Sequence, residues 1–430
     1  MGAAQTGGQT DALNTTRGLW LAEKGLVSTL DLGDITRVLV LWRLVVAPLL
    51  VFILGGCQSP MRHSYLPPRA QVTAPTPVVK VDEPMSIVPA QPITPALPLP
   101  REHTEESNWP SNWFNVWIPL ESWCQFNGLA KPARLSGGLQ PTFQVRMPDG
   151  TLSVRVGTRI ISYGGLQCWL NQAPQLVRDT PYIHWLDARK TLQPLLTNAV
   201  VAPQHQPTVV LDPGHGGKDV GTRNCVNGHF EKDYTLDWAM RLRPLLEANG
   251  WKVVLTRTSD VDLALSNRVL LAEQLKADLF LSLHFNSGEP NRELSGLETY
   301  CLTPHGMTSH LVRGYEDDPK QLYPNNAFDE QNYRVAFALH RAVLGQTQAA
   351  DRGLRRARFM TVLRGQNRPA VLIEAGYLSN PNEARRIATP AYRQSLAAAV
   401  AQAVQGLRLP ESTADYAIDT AVESGETSLR

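Results

Sequence analysis

From Thr208 onward the chain alternates short, unbroken apolar runs with amphipathic stretches. Val209 to Leu211, Trp251 to Leu255, Leu279 to Phe285, Leu297 to Leu302, Phe359 to Leu363 and Ala370 to Ile373 read as strands. Tyr234 to Leu246 carries apolar residues at helical spacing and stops at Asn249-Gly250, a C-cap signature. Val269 to Leu275 and the segments around 332–346 and 391–406 supply further helices. Strands that are apolar throughout must be covered on both sides. The expected fold is therefore α/β, a mostly parallel sheet flanked by helices on both faces, over residues 208–409. In such sheets chemistry gathers beyond the carboxyl ends of the strands.

Residues 112–198 follow a different rhythm. Phe143 to Met147 and Leu152 to Val156 alternate apolar with polar positions around Pro148-Asp149-Gly150, which predicts a hairpin. Short helical patterns flank strands at Asn115 to Leu120, Gln167 to Leu170 and Pro181 to Leu186, giving a small α+β domain.

The first hundred residues carry no such pattern. Leu44 to Leu54 is an apolar run too short to span a bilayer, with Arg37 and Arg43 ahead of it. It ends in Leu54-Gly55-Gly56-Cys57, which resembles a lipoprotein signal, with Cys57 as the lipid-bearing residue. Asp11, Glu23, Asp31 and Asp34 do not suit a positively charged leader, so residues 1–37 are expected to precede the true start, near Val38 or Leu39. Residues 1–57 thus read as a signal region. Twelve prolines between Pro60 and Pro110 make 58–111 an extended, disordered linker. The polar stretch 410–430 reads as a disordered tail.

Composition narrows the partners. Lys and Arg number 41 against 39 Asp and Glu, a net charge of +2, and no basic stripe is interleaved with aromatics, which argues against nucleic acid. Five cysteines include no CxxC pair. Apart from Cys57, they either pair as Cys124–Cys168 and Cys225–Cys301 or serve as small buried hydrophobes. Arg352, Arg355, Arg356, Arg358, Arg364 and Arg368 form the densest charge in the chain. They are either a solvated surface or a means of gripping carboxylates.

Four polar residues stand where the sheet should be functional. His215 follows the first strand, His284 sits at the end of LFLSLHFN, Glu374 ends an apolar run and Glu231 begins the first long helix. Two histidines and a carboxylate are a ligand set that leaves zinc an open position. A second, unligated carboxylate is then needed to move protons. His229 is the nearest competing ligand; His305, His310 and His340 are remoter ones. The glycines of Asp212-Pro213-Gly214-His215-Gly216-Gly217 match no phosphate loop, and suit close approach of backbone to a metal.

The pieces VVLDPGHGGKDVG (209–221), EKDYTL (231–236), GWKVVLTRTSD (250–260), NRVLLAE (267–273), ADLFLSLHFNS (277–287), GLETY (296–300), DRGL (351–354) and PAVLIEAGYLSNPNE (369–383) occur in order. Together they resemble the N-acetylmuramoyl-L-alanine amidases of the zinc-dependent amidase-3 type. The resemblance implies His215, Glu231 and His284 as ligands of one Zn2+ and Glu374 as the catalytic carboxylate. It implies peptidoglycan as substrate, cut between the lactyl group of N-acetylmuramic acid and L-alanine. Phe285 stands where a small residue is frequent, which bears on substrate preference. Residues 112–198 resemble, more loosely, the stalk-like domain at the N-terminus of copper amine oxidases, and read as a spacer or wall-binding module. A lipid on Cys57 would place the enzyme in the cell envelope, facing the periplasm, at the outer membrane of a cell with two membranes. The rival readings are a zinc peptidase acting on wall peptides and a non-catalytic wall-binding protein. Whether an activator protein is needed is not legible.

One insertion stands out. About thirty residues, 303–332, separate the strand ending at Leu302 from the next helix, where a few would suffice. If Leu297 to Leu302 runs parallel to its neighbours, this segment hangs over the metal as an irregular lid.

Overall fold

The computed structural model describes residues 109–196, 206–312 and 317–407. The signal region with Cys57, nearly all of the proline-rich linker and the 410–430 tail lie outside the described residues. The first described stretch opens with β1 (Trp117–Pro119) and α1 (Leu120–Phe126). It continues through β2 (Ala133–Arg134), β3 (Thr142–Met147), β4 (Gly150–Arg155), β5 (Ile160–Tyr163), β6 (Leu166–Trp169), β7 (Gln175–Val177) and β8 (Thr180–His184). The hairpin expected from the alternation is β3–β4. Phe143, Val145, Met147, Leu152 and Val154 turn inward and their neighbours outward. Gly150 makes the turn possible at φ +154°, because an added Cβ would lie 3.1 Å from the Gly164 Cα.

The second stretch alternates strand and helix: β9 (Thr208–Pro213), α2 (Glu231–Ala248), β10 (Lys252–Leu255), α3 (Leu265–Gln274) and β11 (Leu279–Asn286). Then follow β12 (Leu297–Cys301), α4 (Asp329–Thr347), β13 (Asp351–Arg356), β14 (Ala370–Tyr377), α5 (Pro381–Ala388) and α6 (Pro390–Gly406). Every residue of β9 is buried, as is all of β11 except His284. Alternate residues of these strands feed two cores. Val209, Leu211, Leu281, Leu283 and Ile373 pack against Trp238 and Leu242 of α2, Leu339 of α4 and Val400 of α6. Val210, Phe280 and Leu372 pack against Ala272 of α3 and against Leu363. Helices on both faces of a mixed, largely parallel sheet are the architecture the apolar runs require.

Among the described residues the larger sheet has eleven strands, in the order β10-β9-β11-β14-β12-β13-β6-β5-β4-β3-β2. The two stretches that differ in sequence rhythm therefore share one sheet and one compact unit. β10, β9, β11 and β14 are parallel, whereas β12 runs antiparallel to β14.

That reversal overturns the lid expectation. The carboxyl end of β12 lies at the opposite edge of the sheet from that of β14, so residues 303–332 leave the sheet away from Glu374. The segment instead packs between the two stretches. Thr308 N–H donates to Asn171 Oδ1 at 2.9 Å, and Lys190 pairs with Asp329 at 3.1 Å.

Two further expectations change, and of the two readings of the cysteines one holds. Phe359 to Leu363 is not a strand; Thr361–Arg364 is a helical turn, and the strand is the charged segment Asp351–Arg356. The four described cysteines are free, and Cys124, Cys168 and Cys301 are buried as small hydrophobes. The arginines are largely not a surface. Arg356, Arg358 and Arg368 are at most 4% exposed. The Arg358 guanidinium donates to Pro304 O at 2.7 Å, Met307 O at 2.6 Å and Asp317 Oδ1 at 3.0 Å, which ties the insertion down.

Candidate functional site

β9 ends at Pro213, and the chain turns at once through a left-handed path. His215 has φ 62°, unusual for a residue with a Cβ, and Gly216 and Gly217 also have positive φ. Two buried arginines hold this turn by its carbonyls. Arg257 donates to Pro213 O at 3.0 Å and Gly214 O at 2.8 Å, and Arg268 donates to Pro213 O at 2.9 Å and His215 O at 2.8 Å. Asp212 balances Arg268 at 2.7 Å and also accepts from Thr256 and Ser282. A turn whose carbonyls are all claimed cannot easily relax, so the His215 ring is aimed by the backbone.

Glu231, the first residue of α2, is 3% exposed and lies between the two histidines. Its Oε2 is 3.1 Å from His215 Nε2 and accepts Thr222 N–H at 3.0 Å. Its Oε1 is 2.9 Å from His284 Nδ1 and accepts Phe285 N–H at 3.0 Å. Asp219 stands 2.8 Å from His215 Nδ1, which fixes that nitrogen as the donor and turns Nε2 inward. Burial works against charge on His215, but the hydrogen bonds and charges of Glu231 and Asp219 outweigh it and raise its pKa to about 9. Burial likewise opposes ionisation of Glu231, and the two histidines overcome it, holding that carboxyl well below the usual range.

The donors fit a zinc ion. One ligand atom from each of His215, Glu231 and His284 lies within 4.8 Å of the others. Donors on a tetrahedral zinc with bonds of ~2.0–2.1 Å stand about 3.3 Å apart, a spacing that small side-chain movements would give this group. The glycines clear the space. A Cβ on Gly214 would fall 2.2 Å from His284 Cε1, and one on Gly221 would fall 2.6 Å from Glu231 Oε2.

Glu374 lies beside this group. On β14 it is the register partner of His284, and on its other side of Glu298 of β12. Directly opposed residues of neighbouring strands point to one face, so His284, Glu374 and Glu298 form a row across the sheet. Glu298 was not legible as a site residue, although it stands within GLETY. It is 2% exposed and accepts from Asn286, Tyr300, Tyr377 and Arg352 at 3.0, 2.8, 3.0 and 2.8 Å. Burial opposes its ionisation, and the charge of Arg355 with the hydrogen bond of Arg352 keeps its pKa low.

The remaining histidines stand elsewhere. His340 is buried between Thr299 and Asp351, His310 accepts the Arg356 N–H, and His229 packs near Tyr234. Phe285 does not face the site. It is 1% exposed and packs on Trp238 and Tyr234, on the opposite side of β11 from His284, so it cannot set substrate preference by contact.

A family model described as N-acetylmuramoyl-L-alanine amidase matches residues 209–406. N-acetylmuramoyl-L-alanine amidase AmiA of Escherichia coli is 31% identical over 217 residues, covering 46% of this chain and 74% of AmiA. N-acetylmuramoyl-L-alanine amidase CwlM of Bacillus licheniformis is 35% identical over 191 residues, covering 44% of this chain and 64% of CwlM, a little under two thirds. Among solved structures, amidase AmiC2 of Nostoc punctiforme is 32% identical, with 46% of this chain and 96% of that one covered and a TM-score of 0.39. Through its residues 209–406 this chain belongs to the N-acetylmuramoyl-L-alanine amidase family.

Proposed function

We propose that the protein hydrolyses the amide between N-acetylmuramic acid and L-alanine in peptidoglycan, with zinc held by His215, Glu231 and His284. The observation that carries this reading is the meeting of those three side chains beside a fourth group, Glu374. A zinc ion there would supply Lewis acidity that makes water a usable nucleophile near neutral pH. Glu374, placed next to His284 but outside the ligand group, takes the proton of the attacking water and hands it to the leaving amine of L-alanine. Glu231, its carboxylate also held by the Thr222 and Phe285 amides, serves as a ligand and does not exchange protons. Asp219 keeps His215 in the tautomer that turns Nε2 inward. Arg257 and Arg268 keep the 213–215 backbone from shifting as the substrate enters.

The test is digestion of purified peptidoglycan by the full chain, with product analysis, with and without a chelator. Glycan strands stripped of stems, together with intact peptides beginning at L-alanine, support the reading when chelation abolishes both. Cleaved stem peptides would mean a peptidase, and undigested wall that retains the protein would mean a binding module. We propose further that a lipid on Cys57 tethers the protein in the cell envelope. Cys57→Ser should then move it from the membrane fraction to the soluble one, and unchanged membrane association would refute the tether.

A further inference from the structure

The small N-terminal region joins the catalytic sheet at a narrow seam. β6 pairs with β13 in parallel at one register position, Leu354 opposite Cys168. So short a ladder leaves the alignment to side chains, and those nearest the site meet at Arg352 and Arg355. Trp169 Nε1 donates to Arg352 O at 3.2 Å, and its ring lies 4.6 Å from the Arg355 guanidinium carbon. Gln167 N–H donates to Asp351 Oδ2 at 2.7 Å, while Asp351 Oδ1 accepts Gly353 N–H at 2.7 Å and meets His340 at 2.9 Å. Gly353, at φ +89°, admits the indole, since a Cβ there would stand 2.8 Å from Trp169 Cδ1.

The two arginines continue the row that crosses the site. Arg352 Nε donates to Glu298 Oε1 at 2.8 Å, and Arg355 Nη2 lies 3.4 Å from the same oxygen. Arg355 Nε also donates to Arg352 O, the carbonyl that Trp169 holds. Glu298 stands opposite Glu374 on the next strand. Two carboxylates directly opposed on adjacent strands repel unless one is neutralised in place. The cation pair does this, and Trp169 fixes the cation pair.

We propose that Trp169 is a positioning residue: it holds Arg352 and Arg355 against Glu298 and thereby sets Glu374 in its working position. The small region is then part of the active site's support, and a spacer role alone does not describe it. The inference rests on reading Glu374 as the group that moves the proton.

The experiment compares the full chain with Trp169→Ala, Trp169→Phe, Arg355→Ala and the Trp169→Ala/Arg355→Ala pair on a soluble peptidoglycan fragment. In Trp169→Ala kcat should fall about tenfold or more with KM nearly unchanged, and zinc content should equal that of the parent. Trp169→Phe keeps a ring over the guanidinium and should restore most of kcat. The loss in the pair should be smaller than the product of the two single losses, because both single changes remove the Trp169–Arg355 contact. Parental kcat in Trp169→Ala, or losses that multiply in the pair, would overturn the proposal. Hydrogen exchange supplies an arm independent of turnover. Amides of residues 351–356 should exchange faster in Trp169→Ala, while those of β9 stay unchanged. Unaltered exchange at 351–356 would refute the positioning role even if the parent proved inert on wall, an outcome that would separately refute the proposed function.

Discussion

The halves of the larger sheet are built on different rules. β9 and β11 are buried on both faces, and the polar residues within and just beyond them, Asp212, His215, Ser282 and His284, serve the site or its support. β3 and β4 alternate, with their polar residues at half-exposed or exposed positions. Where helices cover both faces, an internal polar side chain must have a partner or a job, because burial without one costs several kcal/mol. Where one face is wet, a polar residue says little. The difference teaches where chemistry can be inferred from pattern and where it cannot. β13 sits between the halves and breaks both rules, being charged with every residue buried or half-buried.

The sharpest way to break the comparison is at the doubly buried half. Glu231→Ala removes a proposed ligand and leaves two histidines facing a void, so turnover should drop below about a thousandth of the parent with zinc lost. Substantial residual zinc by atomic absorption would contradict the assignment. Next come two arginines beyond the charged strand. Arg358→Met strands Asp317 without its cation and frees two carbonyls, which should cost about 3–5 kcal/mol in denaturant unfolding. Arg364→Ala, whose guanidinium only stacks on Tyr323, should cost about 1 kcal/mol or less. Equal losses would mean the buried and stacked arginines are not distinct. Gly214→Ala tests the clearance around His284. The added methyl displaces the ring, and kcat/KM should fall about 100-fold with the global fold intact by circular dichroism.

The smallest expected effect is at the seam. Burial opposes ionisation of Asp351, but the His340 ring and the amides of Gln167 and Gly353 outweigh it and hold its carboxyl below the usual range. A depressed folded-state pKa gives stability that is present above the unfolded value of about 3.9 and lost as pH falls through the folded one. The stability difference between the parent and Asp351→Asn should therefore be flat from pH 7 to 5 and shrink in stronger acid. A difference that grew on acidification would have the wrong sign.

How much of this is legible in the sequence follows from the same contrast. His215, Glu231, His284 and Glu374 are visible because each interrupts or bounds an apolar element, and the structure brings those four to one place. The direction of β12 is not visible, because the apolar run Leu297–Leu302 is the same read parallel or antiparallel, and with it went the expected lid. β13 is invisible as a strand because Asp351-Arg352-Gly353-Leu354-Arg355-Arg356 looks like a surface turn. Its charges are satisfied by Glu298, His340, Thr191 and Trp169, contacts of long sequence range. Phe285 was in principle legible: the period of two in a strand puts it on the face opposite His284.

In the proposed mechanism three residues hold the metal and a fourth moves the proton. The measurement that tests it most directly is zinc content alongside turnover in Glu374→Gln, with His215→Ala as the control. Glu374→Gln should keep zinc near one per chain while wall hydrolysis falls by about a thousandfold, and His215→Ala should lose both. Loss of zinc from Glu374→Gln, or near-parental hydrolysis by it, would contradict the claim.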